Sequence, residues 1–181
     1  MEYLAAAWFY LAFSAFGLVG LPFAHRVLPN RALAYAAAKP LGLILFGYAV
    51  WFLSSLHILD YQSRLLILAL FVIAAGVGAW YGRSFFSDPP TADEPRKKKD
   101  KRKRRMTPFY QKILLLEVGV FLLYVAYLYL RSYNAGINGT ERFMDMMLLT
   151  SAGHTHYFPF TDAWFAGKTV NYYYYGSYLM S

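Results

Sequence analysis

Four stretches of this chain are apolar almost without interruption, and its polar residues gather between them. Tyr3 to Ala24 carries no charged residue and exceeds the ~20 apolar residues that a helix needs to cross a bilayer. Pro40 to Leu59, Leu65 to Gly82 and Ile113 to Leu130 repeat the pattern, which predicts an all-α polytopic membrane protein with four transmembrane helices. The short Leu56 to Arg64 connection makes the second and third spans an antiparallel hairpin. The first span follows Met1-Glu2 rather than a basic leader, so it reads as a retained helix and not a cleaved signal peptide.

Beyond the fourth span, residues 132–169 are too polar to cross and are rich in Gly, Asn, Thr and His. Residues 170–181 turn apolar and aromatic again but are far too few for a crossing. They read as the start of a fifth helix, and the chain as an N-terminal fragment of a longer protein. The organisation expected is a three-helix segment 1–82, a basic linker 83–112, the fourth helix 113–131, an outer loop 132–169 and the truncated helix 170–181.

Composition agrees with that reading and charge refines it. Of 181 residues, 58% are hydrophobic, 20% aromatic and only 15% charged, with a mean hydropathy of +0.30. There is no cysteine, so disulfides, thiolate chemistry and CxxC zinc sites are excluded. The net charge of +8 sits almost wholly in residues 83–112, where Arg96 to Arg105 read RKKKDKRKRR. A single linker cluster is not the basic face that a duplex reader needs, so nucleic acid is not an expected partner. Positively charged loops stay on the cytoplasmic side. This predicts that the linker, and a loop holding His25, Arg26, Arg31 and Lys39, are cytoplasmic, with the N-terminus and residues 132–169 outside. The linker's expected role is topology and attraction to anionic lipid headgroups.

The outer loop holds the candidate chemistry. Glu141 and Asp145 are spaced i, i+4 and share a face if helical, and Asp162 follows in FPFTDAWFAG. Such carboxylates can hold a divalent ion or act as a general base, or simply stabilise a helix start. His154 and His156 form an H-x-H pair that an extended backbone would point to one side, though two ligands make no metal site. Glu117 lies inside the fourth span, where an ionisable group is either functional or paired with an Arg or Lys. The stretch NYYYYG, Asn171 to Gly176, sets four phenols where membrane meets water. Read as successive helical positions they point in all directions, so some face protein or a cavity. Asn138-Gly139-Thr140 fits a glycosylation acceptor.

The order and spacing of these residues closely resemble the signature of the YYY membrane protein family of bacteria and archaea, also described as DUF2298. The matching positions are Arg131, Asn134, Gly139, Thr140, Glu141, Met144, Asp145, Pro159, Asp162, Trp164, Gly167, Asn171, Tyr172, Tyr173, Tyr174 and Gly176. Upstream, Lys39 to Leu43 (KPLGL) and Trp51 are also similar to it. Arg142-Phe143 stands where the family has Lys-Pro, Phe158 and Ala163 replace prolines, and Tyr175 replaces Phe; His154 and His156 have no counterpart.

That resemblance implies likeness to GT-C membrane glycosyltransferases, which take sugars from polyprenyl-phosphate donors at the outer face of the plasma membrane. It makes Asp145, Glu141 and Asp162 the catalytic candidates, with Glu141 and Asp145 holding Mg2+ or Mn2+. Trp164, Asn171, Tyr172, Tyr173, Tyr174 and Arg131 then shape the sugar or phosphate pocket. The rival reading is a non-enzymatic scaffold or transporter-like protein whose outer loop binds glycan or lipid. In either case a fragment with half its pocket absent is expected to be inactive alone.

Overall fold

The computed structural model describes residues 2–87, 109–133, 140–165 and 167–181. Six helices follow in order: α1 (Glu2–Val27), α2 (Arg31–Ser55), α3 (Arg64–Ser87), α4 (Phe109–Ser132), α5 (Thr140–His154) and α6 (Tyr175–Met180). The first four are long and apolar enough to cross a membrane, over Leu4–Val27, Arg31–Ser55, Arg64–Phe86 and Gln111–Ser132. No strand forms among the described residues, where an isolated bridge pairs Thr161 with Thr169. The all-α polytopic architecture is as expected. The RKKKDKRKRR cluster and Asn138-Gly139-Thr140 lie at least partly outside the described residues.

Pro40 does not open the second span. The helix starts nine residues earlier, where the Asn30 side chain accepts from the Ala32 and Leu33 N–H groups at 2.9 and 3.2 Å. An Asn at this cap satisfies donors that have no partner inside the helix. Arg31 and Lys39 therefore belong to α2, and only residues 28–30 connect it to α1. Pro22 and Pro40 both sit in helix interiors, as neighbouring helices allow in membranes.

Helices α1 and α2 meet backbone to backbone. A Cβ on Gly20 would lie 2.0 Å from the Ala38 carbonyl oxygen, and one on Gly42 would lie 1.9 Å from that of Phe16. Lipid tails are as apolar as Leu, so membrane helices associate through such close packing of small residues. Helix α3 repeats the device on the other side of α1, where a Cβ on Gly78 would come 1.8 Å from the Leu18 carbonyl oxygen. Leu18 is four residues before Pro22, whose missing N–H leaves that carbonyl without its helical donor.

Helix α4 is attached differently. None of its membrane-crossing residues is fully buried, and polar groups fasten it. Lys39 Nζ lies 2.7 Å from Glu117 Oε2, the Tyr35 hydroxyl donates to Oε1 at 2.7 Å, and the Tyr10 hydroxyl donates to Oε2 at 3.1 Å. Lys39 also sits 5.4 Å over the Tyr10 ring, and the Tyr124 hydroxyl donates to the Ala6 carbonyl at 3.0 Å. Glu117 thus has the basic partner that its place in an apolar span demands.

Removing one member of a buried ion pair leaves the other charged and unpaired, which costs about 3–5 kcal/mol. Glu117→Ala should destabilise the detergent-solubilised protein by about 3 kcal/mol on that basis, and adding Lys39→Met should restore most of the loss. A denaturation double-mutant cycle checks this, and a Glu117→Ala variant as stable as the parent would refute the latch.

Candidate functional site

The polar segment after α4 folds as a cap. Along α5, Met144, Met147, Leu148 and Ala152 recur at helical spacing on one face. They pack with Phe158, Phe160, Val170 and Tyr178 into a compact core, completed by Trp51 of α2 and Tyr61 of the α2–α3 turn. The Phe158-Pro159 peptide is cis. After it the chain doubles back: Val170 N–H donates to the Phe160 carbonyl at 2.9 Å, and Asp162 N–H to that of Lys168 at 2.8 Å. Asp162 Oδ1 closes the turn by accepting from the N–H groups of Trp164 (2.8 Å) and Phe165 (3.1 Å). Gly167 adopts φ 79°, a left-handed conformation that glycine takes without a Cβ penalty.

The α2–α3 turn is the seat of this cap. Tyr61 N–H and Ser54 Oγ both donate to the His156 carbonyl, at 2.8 and 3.3 Å. Gln62 Nε2 donates to the Gly153 and Thr155 carbonyls at 3.0 and 2.8 Å. The His156 ring meets the Asp60 carboxylate at 3.0 Å, and His57, at φ 59°, stacks on Tyr157 at 4.5 Å. The H-x-H pair does not converge. His154 Nδ1 contacts its own helix at the Thr150 carbonyl, while His156 engages Asp60.

The four tyrosines divide between two tasks. The helix starts at Tyr175, so residues 170–174 are extended or turned rather than helical. Tyr174 lies against Phe158, rings nearly parallel at 6.0 Å, and its hydroxyl accepts from Trp51 Nε1 at 3.2 Å. The hydroxyls of Tyr175 and Tyr178 donate to the α2 carbonyls of Ile44 (3.3 Å) and Gly47 (2.7 Å). Leu179 fills the space beside Gly47, where a Cβ would fall 2.2 Å from its Cδ2. Tyr172 and Tyr173 stay exposed, edge to face at 5.4 Å.

Between α5 and the 161–172 turn lies a cleft of about 420 Å³. Its polar lining is Asp162, Lys168, Thr169 and Asn171, its aromatic lining Trp164, Phe165 and Tyr172, and Met144 and Met147 line it from α5. Among the described residues, Asp162 Oδ2 and Lys168 Nζ have no partner. Of the expected site residues, Asp162, Trp164, Asn171 and Tyr172 come together here. Tyr174 is turned into the core, and Tyr173 projects to solvent. Arg131 is exposed at the end of α4 and Asp145 on α5 beside Met144, neither lining the cleft. Position 141 is one turn before Asp145, and its side chain is outside the described residues. Among the described residues no three His, Asp or Glu side chains converge as metal ligands.

Lys168 escaped the sequence reading although it is the last basic residue of the chain, in a segment with little positive charge. The Asp60 to Gln62 seat escaped it because nothing local in YQSR announces a partner 90 residues away.

The sequence pattern of the family described as uncharacterized membrane protein (DUF2298) matches residues 45–181, well over half of the chain. The chain belongs to that family. No curated protein and no solved structure matches it.

The Gln62 N–H, and after it the His156 ring, hold the Asp60 carboxyl below its ordinary range. A carboxylate with a lowered folded-state pKa stabilises the fold fully above its unfolded value of about 3.9, and the contribution fades as pH falls through the folded value. Hydrogen exchange across 153–160 should therefore be slow and constant from pH 7 to 5 after correction for intrinsic rates, and accelerate below about pH 4. Asp60→Asn should flatten that acid limb; an unchanged limb would show that the seat does not depend on this carboxylate.

Proposed function

We propose that this protein is a membrane glycosyltransferase of the GT-C kind, the character implied by its resemblance to the YYY family, acting on a polyprenyl-phosphate sugar at the cleft between α5 and the 161–172 turn. The observation that carries this reading is the cleft's lining: aromatic rings beside an unpaired cation and a half-engaged carboxylate. Trp164 and Tyr172 suit the apolar face of a pyranose, Asn171 can hydrogen-bond its hydroxyls, and Lys168 supplies charge for a phosphate. In the transfer, a carboxylate takes the proton of the acceptor hydroxyl: Asp162 in the cleft lining, or Asp145 or Glu141 of α5 on an acceptor that approaches over that helix. That oxygen bonds to the anomeric carbon as the bond to the donor phosphate breaks, and the lipid phosphate leaves with the electron pair.

Asp145 has no side-chain partner among the described residues and stands four positions from Glu141, so α5 offers hard oxygen donors suited to Mg2+ or Mn2+. An ion held there would neutralise charge on the leaving phosphate. The reading places the N-terminus and residues 132–169 outside the plasma membrane of a bacterium or archaeon, and the linker 83–112 inside, beside anionic headgroups, because Lys and Arg concentrate in that linker.

One observation favours glycan binding without turnover. Asp162 Oδ1 already caps two backbone N–H groups, a structural duty at odds with that of a base.

Sugar transfer in vesicles carrying the protein at its full cellular length separates the two. Asp145→Ala or Glu141→Ala should lower turnover on the order of 10²-fold or more, the usual size of a general acid–base contribution. Trp164→Ala should raise KM more than it lowers kcat. Saturable sugar binding by the protein without transfer would establish the binding reading, and transfer undiminished by Asp145→Ala, Glu141→Ala and Asp162→Ala alike would remove these residues from the chemistry.

A further inference from the structure

A second concavity lies on the opposite side of α1 from α4. Helices α1 and α3 are pressed together at Leu18 and Gly78, and towards the α5 end they part. The gap is a groove of about 620 Å³, walled by Leu11 and Ala15 of α1 and by Ile67 and Leu68 of α3. Its floor is the aromatic cluster of Phe16, Phe46 and Phe71, whose ring centroids are 4.9 to 6.0 Å apart. At its other end stand Arg64 and the Tyr61 and Ser181 hydroxyls, which are 3.1 Å from each other. No hydrogen bond or ion pair engages the Arg64 guanidinium among the described residues, and the nearby Asp60 carboxylate is occupied by His156 and the Gln62 N–H.

We propose that this groove binds an anionic diacyl phospholipid of the surrounding bilayer, with one acyl chain between α1 and α3 and its phosphate on Arg64. The charge pattern selects an anionic amphiphile: a dry apolar wall topped by one uncompensated cation at the level where helix gives way to turn. Depth selects the chain. Seven residues separate Arg64 from Phe71, so the groove closes about 10 Å below the cation at 1.5 Å per residue. That suits the upper part of a chain of one leaflet, about 15 Å thick. A polyisoprenoid several leaflets long would leave most of its length outside. The site shares no lining residue with the cleft of α5, so it stands whether or not that cleft transfers sugar.

Native mass spectrometry of the detergent-purified chain tests this with phosphatidylglycerol and phosphatidylcholine of equal chain length. One phosphatidylglycerol should be retained at least tenfold more tightly than phosphatidylcholine. Arg64→Gln, at an exposed position that disturbs no packing, should remove that preference. Ala15→Leu, which fills the groove, should weaken both lipids. Equal retention of the two lipids, or a preference unchanged in Arg64→Gln, would overturn the proposal. So would displacement of phosphatidylglycerol by an equimolar long-chain isoprenyl phosphate, since the groove would then serve that chain.

Discussion

Hydrocarbon offers no hydrogen-bond partner, and this requirement organises the molecule more than any apolar contact does. Lys39 stands eight residues inside α2, about 12 Å from its start, where an unpaired ammonium would be severely penalised. Its charge is met by Glu117, and the remaining capacity of that carboxylate by the Tyr10 and Tyr35 hydroxyls. Three helices thereby converge on one carboxyl group. Because α4 buries so little of its surface, this cluster together with the Tyr124 to Ala6 contact fixes where α4 sits. Dispersion alone would let a helix of Leu, Val and Phe slide against others of the same kind.

The same requirement explains the phenols. A tyrosine entering the apolar layer must spend its hydroxyl on something, and a helix carbonyl already holding its own i+4 N–H still has a free lone pair. Tyr175 and Tyr178 take that option on α2, at Ile44 and Gly47, and Gly47 lets Leu179 close the contact. Tyr174 accepts from Trp51 instead. The run of tyrosines therefore anchors the cap to α2 with its later members, leaves Tyr172 to the cleft and turns Tyr173 to solvent.

The four spans were legible because uninterrupted apolar length is a property of consecutive residues. Partners were not, since they depend on residues far apart. Pro40 looked like a boundary because proline normally ends a helix, yet Asn30, a stronger local signal, opens α2 and carries Lys39 into the membrane. Glu117 read as either functional or paired with an Arg or Lys, and the crossing of α1, α2 and α4 identifies Lys39 as its partner. In the cap, Glu141 and Asp145 were readable as neighbours on one helix face. Asp162 was readable as polar but not as the acceptor for its own turn, a role set by the two N–H groups that follow it. Tyr172 to Tyr175 misled because four like residues invite one conformation, whereas the helix begins at the fourth.

Helix α2 joins these devices in one rigid element. Its first half carries Lys39 and the small residues that admit α1; its second half carries Ile44, Gly47, Trp51 and Ser54, which hold the cap from below. The turn that follows supplies Tyr61 and Gln62 as the seat for residues 153–156. The cleft is consequently referenced to α2 through both of its walls: α5 through that seat, and the 161–172 turn through Tyr174 and α6. Helix α4 connects to the cap in sequence, and the hydrogen bonds described between it and α2 are those of the Glu117 cluster. A shift of α4 can therefore leave the cleft's geometry intact, and a shift of α2 cannot. Charges or ligands that act on the cleft from within the membrane therefore work through α2, where the four cap-facing hydrogen bonds, at Ile44, Gly47, Trp51 and Ser54, lie within eleven residues of one another.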